Sequence, residues 1–139
     1  MKLESGNIWS GDRKLAVLTN MTELAYRKGN LRNHYPVFYA GVEYADAEAA
    51  YQALSKDHKH DIAFLHRLMV KIITAKLRQY PKIRQAITDS GGAEWIEECF
   101  HRVHRNWKHN RWEGDGLNSE FIKCVWEAYI QSAEIEGYV

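Results

Sequence analysis

The spacing of apolar and polar side chains changes along this chain, and each change marks an element. From residue 62, Ile62, Leu65, Met69, Ile72 and Ile73 recur at helical spacing, which predicts an amphipathic helix capped by Asp61. Lys76 falls on or next to that stripe, and Pro81 stops this helix or opens the next. Upstream, Ala47, Ala50, Tyr51 and Leu54 share one face of a helix over 47–56, with Asp46 at its N-cap position. Near the end, Phe121, Ile122, Val125, Ala128 and Tyr129 share a face, so a last helix runs to about residue 136, capped by Asn118 or Ser119.

Shorter periods lie between these helices. Aromatic and β-branched residues flank Ala40 and Gly41 over 35–44, which reads as a hairpin with Pro36 at the strand start. Residues 100–107 alternate large and polar side chains and predict a strand returning to a small sheet. Residues 15–18 read as a brief strand or a buried loop, and 22–29 as a helical turn or an ordered loop. Residues 83–90 predict a helix broken by Gly91 and Gly92, followed by a short helix over 94–99 and a glycine-containing loop over 108–117. No repeat or linker interrupts the pattern. The expectation is one α+β domain over residues 1–139, predominantly helical, with a small antiparallel sheet or hairpin.

Composition narrows the class without choosing a function. Nineteen Lys and Arg stand against eighteen Asp and Glu, a formal charge of +1, so overall electrostatics favours neither nucleic acid nor membrane. Only the cluster Arg102, Arg105, Lys108 and Arg111 around Trp107 and Trp112 forms a basic and aromatic patch, which fits phosphates or a solvated edge equally. Two cysteines, Cys99 and Cys124, and a start without the apolar core of a signal peptide predict a reduced, cytoplasmic protein. No apolar run approaches the roughly eighteen residues of a membrane span. The histidines stand at no familiar zinc spacing, so neither a metal nor another cofactor is expected.

The helix over 47–56 carries the chemistry. Its alanines give strong helix propensity and little bulk, so it can lie close to its neighbours and line a pocket with Glu48 and Gln52, which are four apart and share a face. Glu48 is either an ordinary carboxylate at a helix start or a pocket acid or base; Gln52 is either solvated or a hydrogen-bonding group for a ligand.

Three segments in this order resemble the NADAR family, also called the YbiA-like superfamily. The first is Leu18-Thr19-Asn20. In the second, Gly41, Tyr44, Glu48, Tyr51, Gln52 and Ala53 match a Gly, aromatic, Ser-Glu, aromatic, Gln-Ala pattern. The third is Arg111-Trp112-Glu113-Gly114-Asp115-Gly116, similar to a Trp-Gly-Asp-Gly loop before the last helix. Ala75-Lys76-Leu77 resembles the family's Ala-Lys-Phe segment. Three departures mark a divergent branch: the motif's closing lysine is displaced to Lys56, Glu113 is inserted after Trp112, and residues 118–121 replace a glycine-rich segment.

The resemblance implies a YbiA-like fold and hydrolysis of an N-glycosidic bond. The substrate would be an ADP-ribosyl or phosphoribosyl nucleotide, such as ADP-ribosylated guanine, free or within nucleic acid. It implies Glu48, Asp115 and Lys76 as catalytic residues. Asn20, Tyr44, Tyr51, Gln52, Lys56, Trp112, Gly114 and Gly116 would bind substrate. The alternative is a non-catalytic module that binds ADP-ribose, NAD or nucleic acid in the same cleft.

Overall fold

In the computed structural model, which describes residues 1–136, the chain is a mixed α+β fold of six α-helices and two small antiparallel sheets. Residues 137–139 of the expected domain lie outside the described residues. The centre is helix α3 (Ile62–Gln79), which is buried on two sides. Met69, Val70, Ile73 and Leu77 join the larger core with Ile122, Val125 and Ala128 of α6 (Glu120–Glu136). Leu68 and Ile72 face a second core built from Val37, Ala47 and Ala50. His66, near the start of α3, meets Glu120 and Glu127, whereas Arg78 near its end reaches the Gln131 carbonyl at 3.5 Å. The two helices therefore run in the same sense.

Local chemistry sets the ends of these elements. The Asp61 carboxylate accepts from Phe64 N at 3.0 Å and starts α3. Asp46 does the same for α2 (Ala47–Ser55), accepting from Ala49 N at 2.8 Å, while its second oxygen takes Glu23 N at 3.1 Å. One carboxylate thus joins the first turns of α1 (Thr22–Arg27) and α2. Pro81 opens α4 (Pro81–Ser90), and Gly91 and Gly92, at φ 137° and 70°, turn the chain into α5 (Ala93–Glu98). The expected hairpin is present as β1 (Val37–Tyr39) and β2 (Val42–Tyr44), with Val37 opposite Tyr44. Ala40 and Gly41 both have positive φ, 52° and 82°, as a two-residue mirror-image turn requires. The Gln79 side chain acts as a third strand: it accepts from Phe38 N at 2.8 Å and donates to Phe38 O at 2.6 Å.

Three segments depart from their expected form. The stretch over 108–117, expected as a loop, carries the strand Gly114–Asp115 between 3-10 turns at Trp107–His109 and Gly116–Asn118. Residues Ala16–Leu18 form a 3-10 turn, neither a strand nor a loop, because Asp12 accepts from Lys14 N and Leu15 N at 2.8 and 2.9 Å and winds the backbone. The strand expected over 100–107 is only β3 (Phe100–His101), paired with β4 (Gly114–Asp115). Beyond it the buried Glu113 carboxylate accepts from both Val103 N and His104 N, which draws the chain out of the ladder. Among the described residues no helix is long and apolar enough to cross a membrane.

Candidate functional site

Helices α1, α2 and α3, the first twenty residues and the 101–113 segment enclose a cleft of about 530 Å³. Four large aromatic rings line it: Trp9, Tyr51, Trp112 and Phe121. Tyr51 meets Trp112 edge to face, with ring centroids 5.8 Å apart. Trp112 is held from both sides, its N–H donating to Asn110 Oδ1 at 2.9 Å and its carbonyl accepting from Ser119 Oγ at 2.7 Å. Such walls suit a planar ring.

Polar side chains line it as well, among them Ser10, Asn20, Lys28, Glu48, Gln52 and Glu113. Glu48 stands in the first turn of α2, its backbone N–H donating to Asn20 O at 3.0 Å and its carboxylate accepting from Gln52 Nε2 at 2.6 Å. The α2 geometry therefore presents the pair to the cleft as the four-residue spacing predicts. Tyr51, one position before Gln52, keeps its phenolic proton above the usual range, first because it is partly buried, with nearby Glu48 acting in the same direction against Arg111. Lys28 Nζ donates to Ser10 Oγ at 2.7 Å and lies 5.0 Å from the centre of the Trp9 ring, with no ion pair among the described residues. The Arg111 guanidinium stacks 4.4 Å from the Trp112 ring centre. Lys28 itself lines the cleft, whereas Arg111 borders it only through Trp112 and lines a neighbouring groove.

Of the expected site residues, the fold brings Glu48, Gln52, Tyr51, Trp112 and Asn20 to this cleft. The other expected residues do not line it. Lys76 is 2% exposed, and its Nζ donates to Val17 O and Thr19 O, each at 2.7 Å. Burial pushes its pKa down to about 7, against the opposing pull of Asp46. Lys76 thus anchors the turn that leads into Asn20, from behind the cleft. Asp115 points away into a two-pronged pair with Arg102, at 2.7 and 2.6 Å, and that guanidinium lies over both Phe100 and Trp107. The hydrogen bonds from Arg102 hold the Asp115 carboxyl below its usual range. Tyr44 packs on the second core, and Lys56 is exposed beyond the end of α2. Gly114 and Gly116 shape the loop: at Gly116, φ is 55° and an added Cβ would stand 2.7 Å from the Glu97 carbonyl oxygen.

The cleft also holds residues that the sequence pattern does not single out for a site, among them Lys28, Glu113, Trp9 and His101. Glu113 looked like an insertion, yet it organises the 101–113 wall, accepting from the His104 ring at 2.6 Å and from Asn110 Nδ2 at 2.9 Å as well as from the two backbone N–H groups. Burial alone would raise its pKa, but those donors outweigh it and leave the carboxyl below its usual range. Trp9 gave no signal beyond its size. His101 was one histidine among seven; its Nδ1 stands 2.7 Å from Ile8 O, and its ring tilts against Phe121 with centroids 4.7 Å apart. Burial pushes its pKa down, so the ring is neutral at neutral pH.

No family model matches the chain, and neither a curated protein nor a solved structure does. The geometry of the cleft therefore carries the functional reading.

Proposed function

We propose that this chain is a divergent YbiA-like N-glycosidase that hydrolyses the bond between a base and the ribose of an ADP-ribosyl or phosphoribosyl nucleotide. The observation that carries the reading is the meeting of Glu48 and Gln52 with Tyr51 and Trp112 in one cleft. A planar base lies against Trp112 and Tyr51. The phosphates reach toward Lys28 and Arg111, cations with no ion pair among the described residues. Gln52 holds the Glu48 carboxylate and meets a ribose hydroxyl.

The chemistry then needs one carboxylate and one water. As the bond between C1′ and the base nitrogen breaks, its electron pair leaves with the base and positive charge develops on the sugar, which Glu48 stabilises. Water adds to C1′ and Glu48 takes its proton. The Tyr51 hydroxyl, which retains its proton at neutral pH, donates a hydrogen bond to the departing base, and a proton from solvent completes that base. Asp115 and Lys76 act as supports for the walls and leave Glu48 as the acid–base group.

A second reading, a non-catalytic module for ADP-ribose, NAD or modified nucleic acid, is favoured by one observation: of the three expected catalytic side chains, only Glu48 lines the cleft. The test is to incubate the protein with guanosine-ADP-ribosylated DNA, with NAD and with a phosphoribosylated pyrimidine, and to follow release of free sugar product. Hydrolysis of one of these, reduced at least about a hundredfold in Glu48→Gln with binding retained, supports the enzyme. Tight binding without turnover supports the module, and neither binding nor turnover refutes both.

A further inference from the structure

His101 is held in one tautomer by its partner. The Ile8 carbonyl only accepts, so Nδ1 carries the proton that it donates at 2.7 Å. In the neutral ring Nε2 is then a bare acceptor. It makes no hydrogen bond among the described residues, and the ring lines the cleft.

Asn20 adds a second acceptor to the same cleft. The residue is 4% exposed, and its Nδ2 lies 2.8 Å from Met69 Sδ. Sulfur accepts but does not donate here, which fixes the amide with nitrogen toward Met69. Its Oδ1 is consequently buried with no hydrogen-bond partner among the described residues. A buried acceptor in that state is destabilising until a donor reaches it.

We infer that His101 Nε2 and Asn20 Oδ1 form an acceptor subsite that selects ligands whose planar ring presents an amino donor. The inference rests on reading the cleft as a nucleotide site and names what part of the nucleotide is read there. His101 is a specificity residue in this role and takes no proton in the reaction. A ring that offers a carbonyl or a bare ring nitrogen at that edge places acceptor against acceptor and is rejected. The surrounding aromatic walls bind either ring equally, so discrimination comes from these two atoms.

The test is a binding comparison within nucleoside pairs that differ by one amino group: adenosine against purine riboside, and guanosine against inosine, by calorimetry at neutral pH. In at least one pair the amino-bearing member binds on the order of ten- to a hundredfold more tightly, and which pair responds identifies the edge that is read. His101→Asn keeps an N–H for the Ile8 carbonyl while removing the Nε2 acceptor, so it lowers that ratio toward unity with the fold intact; His101→Gln, which extends an amide oxygen to the Nε2 position, restores part of it. Asn20→Leu lowers the ratio independently. The inference is overturned if the wild-type protein fails to distinguish the members of either pair, including by binding none, or if the ratio survives in both His101→Asn and Asn20→Leu. Turnover of an ADP-ribosylated substrate without this preference removes the subsite and leaves hydrolysis standing. The preference without any turnover leaves the subsite and removes hydrolysis.

Discussion

Lys76 offers the sharpest quantitative test, because one buried amine couples stability, pH and the position of Asn20. Its side chain donates to Val17 O and Thr19 O from a site only 2% exposed, and burial lowers its pKa from the ordinary 10.5 to about 7. A neutral amine still has two N–H groups, enough for both carbonyls. Between pH 7 and 10.5 the unfolded chain therefore holds a proton that the folded chain has released, and stability rises with pH at about 1.4 kcal/mol per pH unit. Below pH 7 both states are protonated, and the full cost of burying the ammonium remains.

The substitution Lys76→Met removes the titration and leaves two carbonyls unpaired, the buried one of Thr19 and the partly buried one of Val17, at up to about 1–3 kcal/mol each. Raising the pH from 7, where the folded amine is half titrated, to 9 stabilises the wild-type protein by about 2 kcal/mol and adds nothing through this site to the variant, so the difference between them shifts toward the wild type by that amount. Urea unfolding followed by tryptophan fluorescence at pH 7, 8 and 9 measures it. The comparison with the variant is needed because Cys99 acts in the opposite direction: burial raises its thiol to about 11, so its contribution falls as pH rises above 9. A difference that stays constant from pH 7 to 9 refutes the assignment of a neutral buried amine.

Other expectations follow from single contacts. Asp46→Ala removes the acceptor for Ala49 N and Glu23 N together and costs about 2 kcal/mol or more in urea unfolding. Gly116→Ala forces a side chain into positive φ against the Glu97 carbonyl and costs at least about 2 kcal/mol, read as a lowered unfolding midpoint. Ala40→Asn suits the mirror-image turn better and raises stability by up to about 1 kcal/mol in the same assay. For Glu113, whose folded pKa lies below the unfolded value of 4.5, the stabilisation is complete above that value and is lost as pH falls through the folded pKa. Glu113→Gln flattens that acid-side loss in pH-dependent unfolding while lowering stability at neutral pH.

Sequence alone determined the elements that depend on neighbours a few positions away. The caps at Asp46 and Asp61, the break at Gly91 and Gly92, the turn at Ala40 and Gly41, and the shared face of Glu48 and Gln52 all follow from helical or strand geometry over less than two turns. The strand expected beyond His101 failed because alternation records only a side-chain period, whereas the backbone there follows a carboxylate from nine or ten positions away. Only the tertiary structure decided which polar groups face the cleft. Asp115 lies in the stretch expected as a loop, which the structure makes part of β4, and Arg102 with its two aromatic neighbours turns it outward. Lys76 sits on the predicted stripe, and the carbonyls that enclose it come from 57 and 59 positions earlier. His101 acquires its tautomer from Ile8, 93 positions away. Burial and hydrogen-bond partners of that kind depend on where distant backbone lands, and no local period encodes them.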